Sequence, residues 1–223
     1  MEIDFTPEFI ATRPVISLEE WLDTVFACNE YGLPEDHFET RDSYGEYIVW
    51  TWENPGYLLR HFGKDRITQG LEIQDNWARG APYFADKLKL RALEALPTLF
   101  FQLFGSACEP FFDPRSIRGS MEGYCYMWCE VPHFPYLAYK SPDMRAIAFH
   151  KDLQVVADCL KSKNPTLWLS AIHALGHEIS PCDDDEIKQM CQALLQDFIA
   201  RNRELPDQSP IQYAERAMTG DIQ

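Results

Sequence analysis

Apolar residues recur every three or four positions along the last third of the chain, with polar residues between them. Three such stripes are present. They consist of Phe149, Leu153, Val156 and Leu160; of Trp168, Ile172, Leu175 and Ile179; and of Ile187, Met190, Cys191, Leu194 and Phe198. This spacing matches the turn of an α-helix, so it predicts three consecutive amphipathic helices.

Capping residues followed by proline indicate where helices begin. A capping side chain accepts one of the free N–H groups of the first turn, and proline at the first helical position loses no hydrogen bond. The pairs are Asn54-Pro55, Asp113-Pro114, Ser141-Pro142, Asn164-Pro165 and Ser209-Pro210. The acidic run at 183–186 predicts one further start, and Gly220 predicts the end of the last helix.

The N-terminal half has helical patterns as well. Ser17 and Glu20 fit a capping box at the start of SLEEWLDTVFACNEY. Residues 65–78 and 83–104 are also predicted to be helical, and the second helix is expected to bend or break near Pro97.

The segment EYIVWTWE, residues 46–53, has the aromatic and β-branched composition of a strand. A lone strand has no sheet to join, so we expect a buried helix or an extended connector there. No Gly/Ser-rich or low-complexity stretch divides the chain. The sequence therefore predicts one all-α domain over residues 1–223, irregular over 1–140 and a series of antiparallel helices over 141–223.

The composition is that of a globular protein, with 46% hydrophobic and 25% charged residues. No apolar run reaches the roughly 18 to 20 residues that span a bilayer. Acidic residues near the N-terminus stand where a secretory signal has basic ones, so we expect a cytoplasmic location and no membrane partner. Seven cysteines in mostly apolar segments predict buried thiols rather than a disulfide framework.

The charge is strongly negative and unevenly distributed. Twenty basic and 35 acidic residues give −15, of which residues 1–60 contribute −10 with 3 basic and 13 acidic side chains. A nucleic-acid partner is not expected, because phosphate binding depends on clustered Lys and Arg. The first quarter of the chain is where a cationic partner would be attracted.

Within this acidic region, five spaced acids, at positions 35, 36, 39, 42 and 46, lie among aromatic residues. We predict that they form a protein-binding patch, although a solvated surface is the simpler interpretation. The predicted contact set is Glu35, Asp36, Glu39, Asp42 and Tyr44.

The segment NPTLWLSAIHALGHEI places His173 and His177 four residues apart on one predicted helix. At 100° per residue from Trp168 they fall at about 140° and about 180°, opposite the apolar stripe. They are expected to face solvent, a groove or another helix, and a concave face that carries them is the second candidate for partner binding.

Metal binding is not expected at either candidate cluster. The histidine pair lacks a third ligand and the His-Glu-x-x-His order of zinc proteases, because Ala174 follows His173 and Glu178 follows His177. Cys125, Cys129 and His133 recur at intervals of four, but their apolar surroundings favour packed thiols. We predict that no metal or cofactor is required.

Four segments together resemble a group of largely uncharacterised bacterial helical proteins. They are ITQGLEIQDNWA (67–78), CYMWCEVP (125–132), LSAIHALGH (169–177) and YAERAMTGDIQ (213–223). The resemblance implies HEAT-like packing of the C-terminal helices, in a curved stack, and supplies no catalytic residues. Small acidic proteins of this kind resemble immunity proteins that block a toxin.

Three classes of function follow from these observations. The chain contains no Gly-x-Ser-x-Gly elbow, phosphate-binding loop or dinucleotide fingerprint. The prediction is therefore a non-enzymatic inhibitor that neutralises a cationic bacterial toxin by covering its active surface. The alternatives are an enzyme whose site is assembled across helices and a helical adaptor in a larger complex.

Overall fold

The structure is a computed structural model that describes residues 17–27, 41–78, 85–110, 120–128, 142–179 and 184–222. These residues form helices and contain no β-strand, which confirms the all-α fold class. None of the helices in these ranges combines the length and apolar character needed to cross a bilayer.

Ten helices are described, and we number them in chain order. They are α1 Leu18–Ala27, α2 Arg41–Glu53, α3 Pro55–His61, α4 Lys64–Ala78, α5 Asp86–Thr98, α6 Met121–Met127, α7 Pro142–Cys159, α8 Pro165–Ile179, α9 Asp185–Asn202 and α10 Ser209–Ala217. A π-helical segment, Leu99–Phe104, and a last turn, Gly105–Ala107, continue directly from α5.

The described helices belong to two compact units. The first contains α1 to α5 and the start of α7, and the second contains α6, the rest of α7 and α8 to α10. Each unit is described by itself below. The single domain of 223 residues and the HEAT-like stacking of its C-terminal part remain predictions.

In the first unit, α1 packs on α4 and α2 packs along α5. The inner face of α1 consists of Trp21, Leu22, Val25 and Phe26, each at most 3% exposed. The Phe26 ring lies directly against the backbone of Gly70 in α4, where an added Cβ would overlap the ring. The absence of a side chain at this glycine therefore allows the close approach of the two helices.

The strand-like segment 46–53 is the C-terminal part of α2, as the buried-helix alternative predicted. Ile48, Val49 and Trp52 are at most 2% exposed. The buried Thr51 hydroxyl donates to the Ile48 carbonyl at 2.6 Å, and the Gln74 Oε1 of α4 accepts from the Trp52 indole at 3.3 Å. Burial outweighs the small helix penalty of β-branched residues here.

Pro97 lies inside α5 and does not end it. The residues that follow change hydrogen-bonding pattern instead, because Leu99–Phe104 is π-helical. Proline has no N–H and its ring crowds the preceding turn, so a local widening of the helix accommodates it. The helix is therefore not broken at Pro97, and its hydrogen-bonding pattern changes two residues later.

In the second unit, α8 is the central helix and packs against α6, α9 and α10. Ile172, Leu175 and Ile179 of its apolar stripe are buried. The half-buried Trp168 ring meets the Phe198 ring of α9 edge-on, with 5.5 Å between centroids. The opposite side is buried as well, at Ser170 and His173. The polar side of this helix is therefore a helix–helix interface at Ser170 and His173, whereas His177 is exposed.

Three local signals for helix ends are confirmed, two at helix starts and one at a helix end. The Asn164 side chain accepts the Thr166 N–H at 3.0 Å, and Asp184 accepts from the N–H of Glu186 at 2.9 Å. Gly220 has φ 73°, in the left-handed region, and the Asp221 N–H bonds back to the Arg216 carbonyl at 3.1 Å. This is the glycine-terminated motif that closes many helices.

Two proline-associated starts differ in detail from the expectation. Asn54 precedes α3 but makes no side-chain cap, since its Nδ2 donates to the Trp50 carbonyl at 2.8 Å. Ser209 is the first residue of α10 rather than its cap, and the Asp207 carboxylate accepts its N–H at 2.9 Å. The Asp113-Pro114 pair lies outside the described residues.

Candidate functional site

The predicted acidic patch lies mostly outside the described residues. Glu35, Asp36 and Glu39 fall in the gap between residues 27 and 41. Asp42 and Tyr44 belong to the first turn of α2, but the structure does not describe their side chains. The patch as a binding surface therefore remains a prediction.

The described part of the acidic region contains two different kinds of carboxylate. Glu19, Glu20 and Asp23 are exposed on the outer face of α1, which has no basic residue. Glu20 also accepts the Ser17 N–H at 2.8 Å and completes the predicted capping box. The outer face of α1 is thus a described, solvent-exposed part of the negative charge.

Glu46 and Glu53 of α2 instead form ion pairs with Arg91 of α5. Both nitrogens of the Arg91 fork, Nε and Nη2, donate to Glu53 at 2.7 and 2.6 Å, and Nη1 pairs with Glu46. A two-pronged contact between guanidinium and carboxylate fixes geometry as well as charge. These two acids hold α2 on α5, and Arg91 offsets part of their charge.

The two histidines of α8 lie in a polar cluster made by three helices. His173 is only 2% exposed, and its Nδ1 lies 2.8 Å from the Tyr213 hydroxyl of α10. That hydroxyl lies 3.0 Å from the hydroxyl of Tyr126 in α6. The Tyr126 ring also packs on the imidazole of His173, with centroids 4.1 Å apart. We call these side chains and His177 the His–Tyr cluster.

His177 is the exposed end of the His–Tyr cluster. Its Nε2 lies 3.1 Å from the Nε2 of His173, and the two rings are nearly perpendicular at 79°. One nitrogen must carry the proton and the other must accept it. A continuous hydrogen-bonded chain therefore runs from the exposed His177 through His173 and Tyr213 to Tyr126.

The electrostatics of the cluster keep the buried histidine neutral. Burial first, and then repulsion from His177, lower the pKa of His173 from 6.5 to about 3. A neutral imidazole donates at one nitrogen and accepts at the other, so the chain can run in either direction. Chemically, such a chain can exchange protons between its hydroxyl and imidazole groups without placing a full charge in the interior.

The structure brings together two residues that sequence reasoning did not single out. Tyr126 and Tyr213 lie 87 positions apart, and both are buried with their hydroxyls directed at one another. Each belongs to a segment noted for its resemblance, but neither hydroxyl has a local signal. A buried tyrosine usually finds a hydrogen-bond partner, and only the packing of α6, α8 and α10 reveals which one.

The second predicted cysteine and histidine cluster is described only in part. Cys125 is fully buried in α6, while Cys129 and His133 lie outside the described residues. Burial is the main cause that raises the pKa of the Cys125 thiol, and the neighbouring Cys108 adds to it. The four described cysteines, at 108, 125, 159 and 191, are buried thiols outside any disulfide, as predicted.

Within the described ranges, no group of three or more His, Cys, Asp or Glu side chains is arranged to hold a metal ion. The buried carboxylate of Glu122 accepts the Glu109 N–H at 2.9 Å.

Comparison with protein-family models, characterised proteins and solved structures found no match for this chain. The resemblance to bacterial helical proteins and to toxin-immunity proteins therefore remains a prediction.

Proposed function

We propose that this chain is an inhibitor that binds a basic protein domain, such as a bacterial toxin, and covers its active surface. The observation that carries the proposal is the charge of −10 on residues 1–60. Opposite charge steers the encounter of two proteins and raises the association rate, with a strong dependence on salt.

The described contacts indicate that some acids of this region hold helices together while others are exposed and accessible to a partner. Glu46 and Glu53 are engaged by Arg91, whereas Glu19 and Asp23 are exposed on a helix without a base. The proposed contact set, Glu35 to Tyr44, lies between these two groups in the chain. Its tyrosine and neighbouring aromatic residues would supply the desolvated anchors that hold a complex after encounter.

Partner identification is the first experiment. The full chain is purified from its native host with associated proteins, which are then identified by mass spectrometry. We expect a basic protein encoded beside this gene, since an immunity gene normally neighbours its toxin. Recovery of no partner, together with turnover of a small molecule, would contradict the proposal and favour an enzyme.

A charge-reversal pair then tests the surface. Replacing Glu35, Asp36 and Glu39 by Lys should slow association with the partner and weaken its salt dependence in stopped-flow measurements. In the matched control, Lys replaces Glu204, Glu215 and Asp221, which are exposed acids of the second unit. Each triple variant changes the net charge from −15 to −9 by two charges per replacement. Equal slowing by both variants would remove the proposed patch and leave only net charge.

The enzyme alternative rests on the His–Tyr cluster, in which a neutral buried histidine is linked to an exposed one. Such a pair could transfer protons to a bound substrate. His177→Ala distinguishes the two functions, because an inhibitor that uses the acidic patch should bind its partner with unchanged affinity. An adaptor would bind partners without inhibiting any of them.

A further inference from the structure

The distance between the Nε2 atoms of His173 and His177 is close to the distance between two nitrogen ligands of one metal ion. In a tetrahedral zinc site, with Zn–N bonds of about 2.0–2.1 Å, two ligating nitrogens lie about 3.3–3.4 Å apart. The Nε2 atoms of His173 and His177 are 3.1 Å apart. A shift of a few tenths of an ångström, together with a turn of the rings that points both Nε2 lone pairs at one ion, would convert their hydrogen bond into a pair of metal ligands.

The surroundings of His173 are those of an oriented metal ligand. A ligating histidine usually binds the metal through one nitrogen and donates its other N–H to a fixed acceptor. The Tyr213 hydroxyl stands 2.8 Å from Nδ1 and the Tyr126 ring packs on the imidazole. These contacts hold the ring in place and leave Nε2, the atom that faces His177, as the metal-binding nitrogen.

The second ligand provides access. His177 is exposed, so an ion can reach the pair from solvent through this side chain. When neutral His177 moves its proton from Nε2 to Nδ1, both Nε2 lone pairs are available and no proton is lost from the protein. Two histidines four residues apart on one helix face are a recurring metal-binding arrangement.

We propose that His173 and His177 chelate one divalent transition-metal ion that prefers imidazole, such as Zn²⁺. The missing third ligand argued against a metal in the sequence. Zinc sites in proteins usually have three or four protein ligands. Two imidazole ligands therefore predict a weak, open site, whose remaining positions are filled by water. Mg²⁺ and Ca²⁺ are not expected to bind, because both prefer oxygen ligands. This inference does not depend on the proposed inhibitor function.

The test is a calorimetric titration of Zn²⁺ into the full chain after removal of metals with EDTA. We expect one Zn²⁺ per chain, loss of this site in His177→Ala and its retention in His150→Ala, which removes an exposed histidine of α7. Mg²⁺ should give no binding heat. Zn²⁺ should also raise the melting temperature of the wild type but not of His177→Ala, since a ligand of the folded state stabilises it.

Tyr213→Phe separates an oriented site from a chance pair. Loss of a partner that orients a ligand typically weakens metal affinity 10–100-fold, so we expect at least tenfold weaker Zn²⁺ binding. Absence of Zn²⁺ binding by the wild type would overturn the proposal and leave only a hydrogen-bonded pair. Equal binding by wild type and His177→Ala would overturn it by placing the ion elsewhere.

Discussion

Acidification should destabilise this protein through one buried histidine. His173 has a pKa of about 3 in the folded chain and an ordinary value of 6.5 when exposed, mainly because of burial. Between these values the unfolded chain binds one more proton than the folded chain, so stability falls as pH decreases. The contribution is complete above pH 6.5 and is lost progressively below it.

The magnitude follows from the slope of about 1.4 kcal/mol per pH unit for one proton. From pH 7.5 to pH 5.0, only the one and a half units below the unfolded pKa count. We therefore expect His173 to remove about 2 kcal/mol of unfolding free energy.

The assay is urea denaturation at pH 7.5, 6.0 and 5.0, with EDTA present so that bound metal does not contribute. His173→Gln removes the titrating group, and His150→Gln is the control, since that histidine is exposed. Carboxylates titrate in all three proteins. The comparison is therefore between the slopes of unfolding free energy against pH for the wild type and the two variants. An equal loss of stability in wild type and His173→Gln would refute the reasoning.

Three further substitutions test the packing. Tyr213→Phe removes a hydroxyl with two buried hydrogen bonds, so urea denaturation should show a loss of about 1–3 kcal/mol; an unchanged midpoint would contradict this. Gly70→Ala places a Cβ on the buried Phe26 ring, so it should cost about 1–2 kcal/mol and lower the melting temperature. In the control, Gly56→Ala, the new Cβ contacts only the flexible Arg60 side chain, so stability should be unchanged or higher. Asn164→Ala should cost about 1–2 kcal/mol by loss of its cap, and a similar loss in Asn54→Ala, which makes no cap, would argue against that cause.

Local sequence signals determined much of the helix map. The Ser17 and Glu20 capping box, the cap at Asp184 and the glycine end at Gly220 all form as the sequence predicts. Each depends on residues within one turn, so nearby side chains and backbone groups are sufficient to specify it. The apolar stripe of α8 is buried for the same kind of reason, because its period fixes which side faces the core.

The direction of the polar side chains was decided by tertiary packing. The helical period placed His173 opposite the apolar stripe but could not say what covers that side. Packing of α6 and α10 on α8 buries it and supplies the two tyrosine hydroxyls, one of them 87 residues from the other. Likewise, Arg91 meets Glu53 only because α5 lies along α2.

The sequence by itself therefore determined the all-α class, the main helix starts, the buried thiols and the excess of acid in residues 1–60. Tertiary structure decided between the buried helix and the extended connector expected for segment 46–53. It alone decided that His173 is buried and neutral and that its Nε2 lies close to that of His177. The physical reason is the separation along the chain over which each kind of interaction acts. Caps and periodic stripes act within a few residues, whereas burial, pKa shifts and hydrogen bonds between helices depend on groups that only the fold brings together.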